Sequence, residues 1–347
     1  MQIHHALVTL HWPKALRDEL ADLLDAKRVT IAEPRSAAAK DALRDVDVAI
    51  LGGDASRDVL NAPRLRWLHC DHAGIDGFAP SELFAGNLVV TTSAGRSASA
   101  IAEHALFFML ALSQEATRLW NAQRRRVWGL PGLEKRRCLQ GRTVLIIGCG
   151  HTGRQLARYC NVVGMQVIGY RRRMAPPPSG FDEVHAADAS ATLPSLLKRA
   201  HVLVLASSLN DATRGLIGRE ELMALPKGAY LVNVARGSLV DEEALVASLQ
   251  SGHLGGAGLD VAVTEPLPPN SPLWRAPRTL ITPHATPQVA DRARASLEII
   301  RPLIRQYRRG EALEGRLDAR DAYNSPQQTS PMQTRITRLW RRLASPG

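Results

Sequence analysis

Two doubly wound parallel-sheet domains of the α/β class are what this sequence predicts, and three observations carry the prediction. Short apolar runs alternate with helical segments along most of the 347 residues. Runs such as Val144–Ile147 are continuously apolar rather than alternating, as strands covered by helices on both faces must be. Residues 143–173 read as strand, glycine turn, helix and second strand, the repeating unit of such a sheet.

In chain order, Ala6–Leu10 is a strand, and Lys14–Leu24 is an amphipathic helix behind Pro13, a favoured first-turn residue. Lys27–Ala32, Val46–Leu51, Leu65–Cys70 and Leu88–Thr91 are further strands of this first unit. Ser97–Trp120 is expected as one long helix, apolar around its circumference and so buried between domains or in a dimer contact. Residues 124–140 are polar and irregular. Val144–Ile147 and Met165–Tyr170 flank the glycine turn, and Pro176, Pro177 and Pro178 mark a loop after them. His201–Ala206, Tyr230–Val234, Gly258–Ala262 and Thr279–Thr282 complete a second sheet of about six or seven strands. Thr286 and Pro287 form a good N-cap and first-turn pair for a helix to about Arg308, which leads back to the first unit. Residues 321–332 read as disordered, and 333–343 as a short basic helix in a frayed terminus.

Composition narrows the function classes. Hydrophobic content of 45% and charged content of 22% suit a soluble globular protein, and no apolar run reaches the roughly 18 residues that span a bilayer. No signal peptide is expected in the first residues, because His11-Trp12-Pro13 interrupts their short apolar run. Cys70, Cys138, Cys149 and Cys160 are scattered without metal-ligand spacing, so no metal is expected and a reducing cytoplasm is. The net charge of +11 comes in short arginine clusters without a nucleic-acid module, and aromatic residues make up only 5%. Anionic cofactor and substrate are the expected beneficiaries of that field, not nucleic acid or membrane.

The glycine turn points to the cofactor. Gly148, Gly150 and Gly153 stand in G-x-G-x-x-G spacing between a strand and a helix. The first makes the tight turn, the second lets backbone approach a pyrophosphate, and the third lets helix pack on strand. An NAD-binding unit usually has Asp or Glu about 20 residues further on, for the ribose 2′-OH. Arg171 stands there instead, followed by Arg172 and Arg173, and guanidinium groups bind a 2′-phosphate through charge-assisted hydrogen bonds. NADP is the expected cofactor, with NAD as the alternative.

Three later strands each end in polar groups: Arg236 after Tyr230–Val234, Asp260 within and Glu265 after Gly258–Ala262, and His284 after Thr279–Thr282. Strand C-terminal ends converge on the ligand crevice of an open parallel sheet, so these groups are expected to meet. Their types suit hydride transfer to a 2-oxo acid. Arg236 binds a carboxylate and polarises the adjacent carbonyl, and His284 protonates its oxygen. Glu265 stabilises the imidazolium and orients the ring.

On these residues the chain resembles the D-isomer-specific 2-hydroxyacid dehydrogenases over about residues 5–312. The likeness rests on Ala73-Gly74-Ile75-Asp76, Ala102-Glu103-His104, the glycine turn, Asn233-Val234-Ala235-Arg236-Gly237, Gly258-Leu259-Asp260-Val261, Glu265-Pro266 and Thr282-Pro283-His284. It implies a homodimer, and a Rossmann cofactor domain (97–287) inserted in a flavodoxin-like substrate domain (1–96 with 288–320), followed by a flexible basic tail (321–347). It further implies that backbone at Ala73 and Gly74 holds the substrate carboxylate, alongside Arg236 and His284. By the same likeness His151 and Thr152 contact the pyrophosphate, while Val234 and Asp260 face the nicotinamide.

The chain departs from that family at Arg171, where Asp is usual, at Thr286-Pro287, where small residues are usual, and at Thr92, where Asn is common. Formate dehydrogenases carry Gln in place of Glu265, and phosphite dehydrogenases carry Lys where Ala73 stands, which argues against both substrates. The expectation is a 2-oxo acid reductase for a substrate such as glyoxylate, hydroxypyruvate or a phenylpyruvate-like acid. The non-enzymatic alternative is a nucleotide-sensing corepressor of the same fold, which keeps the same three polar groups.

Overall fold

The computed structural model describes all residues except 54, 174, 188–192 and 325–347. Among the described residues, twelve strands form two sheets. The first contains β1 (His5–Val8), β2 (Arg28–Ile31), β3 (Val48–Leu51), β4 (Trp67–Cys70) and β5 (Val89–Thr92), in the order β2-β1-β3-β4-β5. The second contains β6 (Thr143–Ile147), β7 (Gln166–Arg171), β8 (Glu183–Ala186), β9 (Val202–Leu205), β10 (Tyr230–Asn233), β11 (Gly256–Leu259) and β12 (Thr279–Ile281), in the order β12-β11-β10-β9-β6-β7-β8. Every pairing is parallel. The two orders are the flavodoxin-like and dinucleotide-binding forms of the doubly wound fold, and the second changes direction between β6 and β9.

Burial explains the apolar runs. Val144, Leu145 and Ile146 are fully buried, as are Val202 to Leu205, because helices cover both faces of the sheet. The sequence reading missed β8, a half-exposed edge strand whose Glu183-Val184-His185-Ala186 carries no apolar run. It also placed β11 two residues late. Gly256, Ala257 and Gly258 look like turn residues, yet they are the strand itself. Their smallness is a packing requirement, since a Cβ on Gly258 would lie 2.5 Å from Cγ of Phe108. The helix Ala98–Ser113 therefore rests directly on the sheet, with Ala102, Ala105, Phe108 and Met109 buried beneath it.

The single helix expected over Ser97–Trp120 is two, Ala98–Ser113 and Ala116–Arg125. Glu115 between them has φ 52°, outside the helical region, and its carboxylate pairs with Arg118 in the second helix. The C-terminal helix likewise starts later than expected, at Arg292 rather than Pro287. The Thr286 hydroxyl is instead directed to Asp260, to which it donates at 2.7 Å, and Asp291 stands at the N-cap.

The helix Arg292–Arg309 buries Leu297, Ile300, Leu303, Ile304 and Tyr307 in one cluster with Ala6, Val8, Leu20 and Trp67. The Tyr307 ring stacks on Trp67 at 5.3 Å, and Arg294 and Arg301 both hold Glu19. The end of the chain thus completes the domain that its beginning started.

The first residues of the tail expected from 321 are held against the fold. Ala322 and Tyr323 are buried, the Tyr323 amide donates to the Ala79 carbonyl at 2.7 Å, and Arg214 lies 4.9 Å over the Tyr323 ring. An aromatic ring with an apolar seat and a cation above it does not stay in solvent. The remainder of the expected tail, with the basic helix over 333–343, lies outside the described residues.

Candidate active site

The glycine turn follows β6 at the point where the sheet changes direction. Gly148 has φ 107°, and a Cβ on it would lie 2.6 Å from the Ala206 carbonyl carbon after β9, so only glycine fits. A Cβ on Gly153 would lie 1.9 Å from the Gly148 carbonyl oxygen, which brings the helix His151–Val162 tight against the strand. Gly150, the N-cap of that helix, faces open space, with no atom within 4 Å of where its Cβ would be. An open glycine at the positive end of a helix is what a pyrophosphate requires, so the turn fits a dinucleotide. His151 and Thr152 open this helix, and the His151 ring lies against Gly95 across the junction with the first domain. Burial pushes the Cys149 thiol up to about 11, which leaves it a packing residue of the turn.

The three arginines after the turn separate. Arg171 ends β7 and donates to the carbonyls of Ala175 and Pro176, while its buried Nε has no partner. Arg172 instead donates to the Arg320 carbonyl at 2.6 Å and to Asp321 at 3.3 Å. Arg173 lies 4.0 Å from Asp318.

The other polar groups do converge. Arg236 follows β10, and its Nε donates to both oxygens of Asp76, at 2.9 and 3.1 Å. Nη1 donates to the Ala235 carbonyl at 2.9 Å, and Nη2 lies so near the Ala73-Gly74 backbone that a Cβ on Gly74 would approach it to 2.9 Å. Asp76 was part of the motif quoted above, but its task of aiming Arg236 was not read. Gly237 allows the next approach, since a Cβ on it would meet the Ala262 carbonyl carbon at 1.9 Å. That contact packs the Arg236 loop against the loop that ends in Glu265.

Glu265 accepts from the Ala262 amide at 3.0 Å through Oε1 and from His284 Nδ1 at 2.8 Å through Oε2. Its hydrogen bond holds the imidazole above the ordinary histidine pKa, against burial and the nearby Arg236 charge. His284 sits at φ 51°, an uncommon conformation for a residue with a side chain. Asp260 over-determines it. The buried Asp260 carboxylate accepts from the Thr282 hydroxyl at 2.5 Å, the Ala285 amide at 2.9 Å, and the Thr286 amide and hydroxyl at 3.2 and 2.7 Å. Its carbonyl takes the His284 amide at 2.8 Å. Asp260 is thus the hub of the histidine loop, and Val234 is buried beside the Arg236 strand end. His104 on the long helix donates to the Thr282 hydroxyl at 3.0 Å, so it supports that loop from behind.

A second cluster escaped the sequence reading. Asp71, at the end of β4, pairs with Arg96 at 2.5 Å, with both side chains about 5% exposed. It also accepts from Ser93 at 2.8 Å, Ser296 at 2.5 Å and Trp12 Nε1 at 3.1 Å. His69 bridges Thr91 and Ser93 at 2.9 and 3.0 Å, and burial pushes its pKa down to about 4, so it stays neutral. This cluster ties β4 and β5 to the C-terminal helix directly beneath the Ala73-Gly74 loop.

Comparison with known proteins bears on this arrangement. The family model for the NAD binding domain of D-isomer specific 2-hydroxyacid dehydrogenases matches residues 106–286. This chain belongs to that family. A glyoxylate reductase of Thermococcus gammatolerans is 30% identical over 78% of this chain and 82% of its own length. A D-3-phosphoglycerate dehydrogenase of Methanocaldococcus jannaschii is also 30% identical, but the chain spans only 52% of it. Among solved structures, a D-isomer specific 2-hydroxyacid dehydrogenase of Xanthobacter autotrophicus Py2, in complex with NADPH and MES, superposes with a TM-score of 0.78 at 28% identity, covering 93% of this chain and 100% of that one. Both named relatives are enzymes, which favours catalysis over the corepressor alternative. The family is one of NAD(P)-dependent 2-hydroxyacid dehydrogenases, and membership makes this chain an oxidoreductase of that kind.

Proposed function

We propose that the chain is an NADPH-preferring reductase of small or medium 2-oxo acids, such as glyoxylate, hydroxypyruvate or a phenylpyruvate-like acid. The observation that carries the reading is the His284–Glu265 pair at 2.8 Å, held beside a guanidinium that faces the Ala73-Gly74 backbone. The bound nicotinamide supplies the hydride. Arg236, aimed by Asp76, binds the substrate carboxylate together with the Ala73-Gly74 backbone and draws charge from the adjacent carbonyl. His284 delivers a proton from Nε2 to the carbonyl oxygen, and Glu265 keeps that proton available near neutral pH. His151 and Thr152 at the helix start hold the pyrophosphate, and Val234 with the Asp260 hub sets the nicotinamide end. An assay of a 2-oxo acid panel with NADPH and NADH tests the reading, which fails if no member turns over.

Two variants probe the parts. The raised His284 pKa means that reduction falls as pH climbs through that value, which lies above the ordinary 6.5. In Glu265→Gln the falling limb of kcat against pH is expected to move to lower pH, because the main cause of the raised value is gone. An unmoved limb sinks the proton-donor role. The proton His284 gains contributes stability fully below 6.5, and that stability is lost as pH rises through the raised value.

Arg171→Asp should lower the NADPH/NADH preference about tenfold or more, since a carboxylate there repels a 2′-phosphate and accepts from a 2′-OH. An unchanged ratio removes Arg171 as the ground for an NADPH preference.

A homodimer in the cytoplasm completes the reading. Phe107, Leu110 and Trp120 are 44, 40 and 50% exposed along one face of the two junction helices, an apolar surface suited to a second copy. Cys138, Cys149 and Cys160 carry free thiols, as a reducing compartment keeps them.

A further inference from the structure

We propose that Asp321, carried to the cofactor domain by a strap of chain after the C-terminal helix, sets how strongly a 2′-phosphate is preferred. The inference rests on the NADPH reading above. It names a residue that works against that preference.

The strap is fastened to both domains independently of the arginines. On the substrate side, the Leu317 amide donates to the Val90 carbonyl at 2.9 Å, and the Ser81 amide and hydroxyl both donate to Asn324 at 3.1 Å. On the cofactor side, Asn324 donates to Asp211 through its amide at 3.0 Å and through Nδ2 at 2.7 Å, and Arg214 covers Tyr323. Between these anchors a single turn, Ala319–Asp321, is presented to the end of β7.

The two acids of that turn are not equivalent. Asp318 is held by Arg320 of the same turn, through Nε at 2.8 and 3.1 Å, so its charge is answered within the strap. Asp321 reaches across to the cofactor domain, where its Oδ1 meets Nη2 of Arg172 while the Arg320 carbonyl takes Nη1. Both outer nitrogens of Arg172 are therefore committed to the strap. Arg171 donates only to neutral carbonyls, which release a guanidinium to a phosphate more readily than a carboxylate does. An anion at the end of β7 gains Arg171, shares Arg172 with Asp321, and feels the Asp321 charge. A 2′-hydroxyl carries no charge and escapes that opposition.

Asp321→Asn keeps an acceptor for Arg172 and removes the charge. The measurement is equilibrium titration of the full-length protein and the variant with NADPH and NADH, following calorimetric Kd. NADPH is expected to bind about fivefold more tightly in the variant, the scale of a half-exposed charge pair, with a much smaller change for NADH. The gain should shrink at high ionic strength. Loosening of the strap would change both affinities alike, so equal changes, or none, overturn the proposal. Arg171→Asp in the same titration separates the two claims. If it shifts the Kd ratio and Asp321→Asn does not, the NADPH reading stands and this inference falls; if Arg171→Asp has no effect, both fall.

Discussion

Arg236→Ala is expected to lower kcat/KM for 2-oxo acid reduction by about 10³-fold or more, with the Kd for the cofactor within about twofold of the parent. The size follows from two tasks meeting in one side chain. The guanidinium would bind the substrate carboxylate and polarise the carbonyl, and loss of one preorganised donor to a developing oxyanion alone costs about 10²–10³-fold. Arg236→Lys should recover little. Arg236 already uses Nε on Asp76 and Nη1 on the Ala235 carbonyl, leaving Nη2 toward Gly74, and one ammonium cannot serve those three directions. Steady-state kinetics with a substrate from the panel, beside a cofactor titration, decides the matter. Turnover within tenfold of the parent would remove Arg236 from the mechanism.

Asp71→Ala should be the most destabilising single change outside the apolar core. It leaves the Arg96 guanidinium buried without its carboxylate, a loss of about 3–5 kcal/mol. Trp12, Ser93 and Ser296 lose an acceptor at the same time. A fall in Tm of roughly 10 °C is the expected scale for a chain of this size. Asp71→Asn should lose less, because two of its acceptor sites survive. Thermal unfolding of both variants is the check, and a Tm within about 2 °C of the parent for Asp71→Ala would show that the pair is replaceable. The same substitution should raise KM, since the loop that presents Ala73 and Gly74 begins at Asp71.

Much of the arrangement was legible before any coordinates. Parallel strands buried on both faces announce themselves as apolar runs, and ten of the strands lie within small end shifts of where they are expected, the partly exposed β2 and β12 among them. The failures have local causes. In β8 the exposed edge removes the need for apolar residues, and in β11 the demand for a close approach by Phe108 replaces β-branched residues with glycine. The break at Glu115 turned on a single residue in a left-handed conformation, and no glycine or proline marks the place in the sequence.

The site divides in the same way. Arg236, Glu265 and His284 were readable because parallel strands all deliver their C-terminal ends to one crevice, so position after a strand substitutes for knowledge of the fold. The groups that aim them were not. Asp76 lies 160 residues from the arginine it holds, and Ser296 lies 225 residues from Asp71. Nothing about a lone aspartate or serine in sequence signals such a partner, because side-chain pairing at that separation is decided by packing rather than by chain spacing.

The arginines after β7 mark the boundary between the two kinds of knowledge. That a basic run stands where a carboxylate is usual is written along the chain, since strand length and the glycine turn fix that place. Which of the three guanidiniums faces neutral carbonyls, and which are already answered by acids, depends on the folded arrangement. Charge is written in the sequence, but its neutralisation depends on what the folded chain brings within a few ångströms. Here that is a strap arriving almost 150 residues later, held in place by its own contacts with both domains.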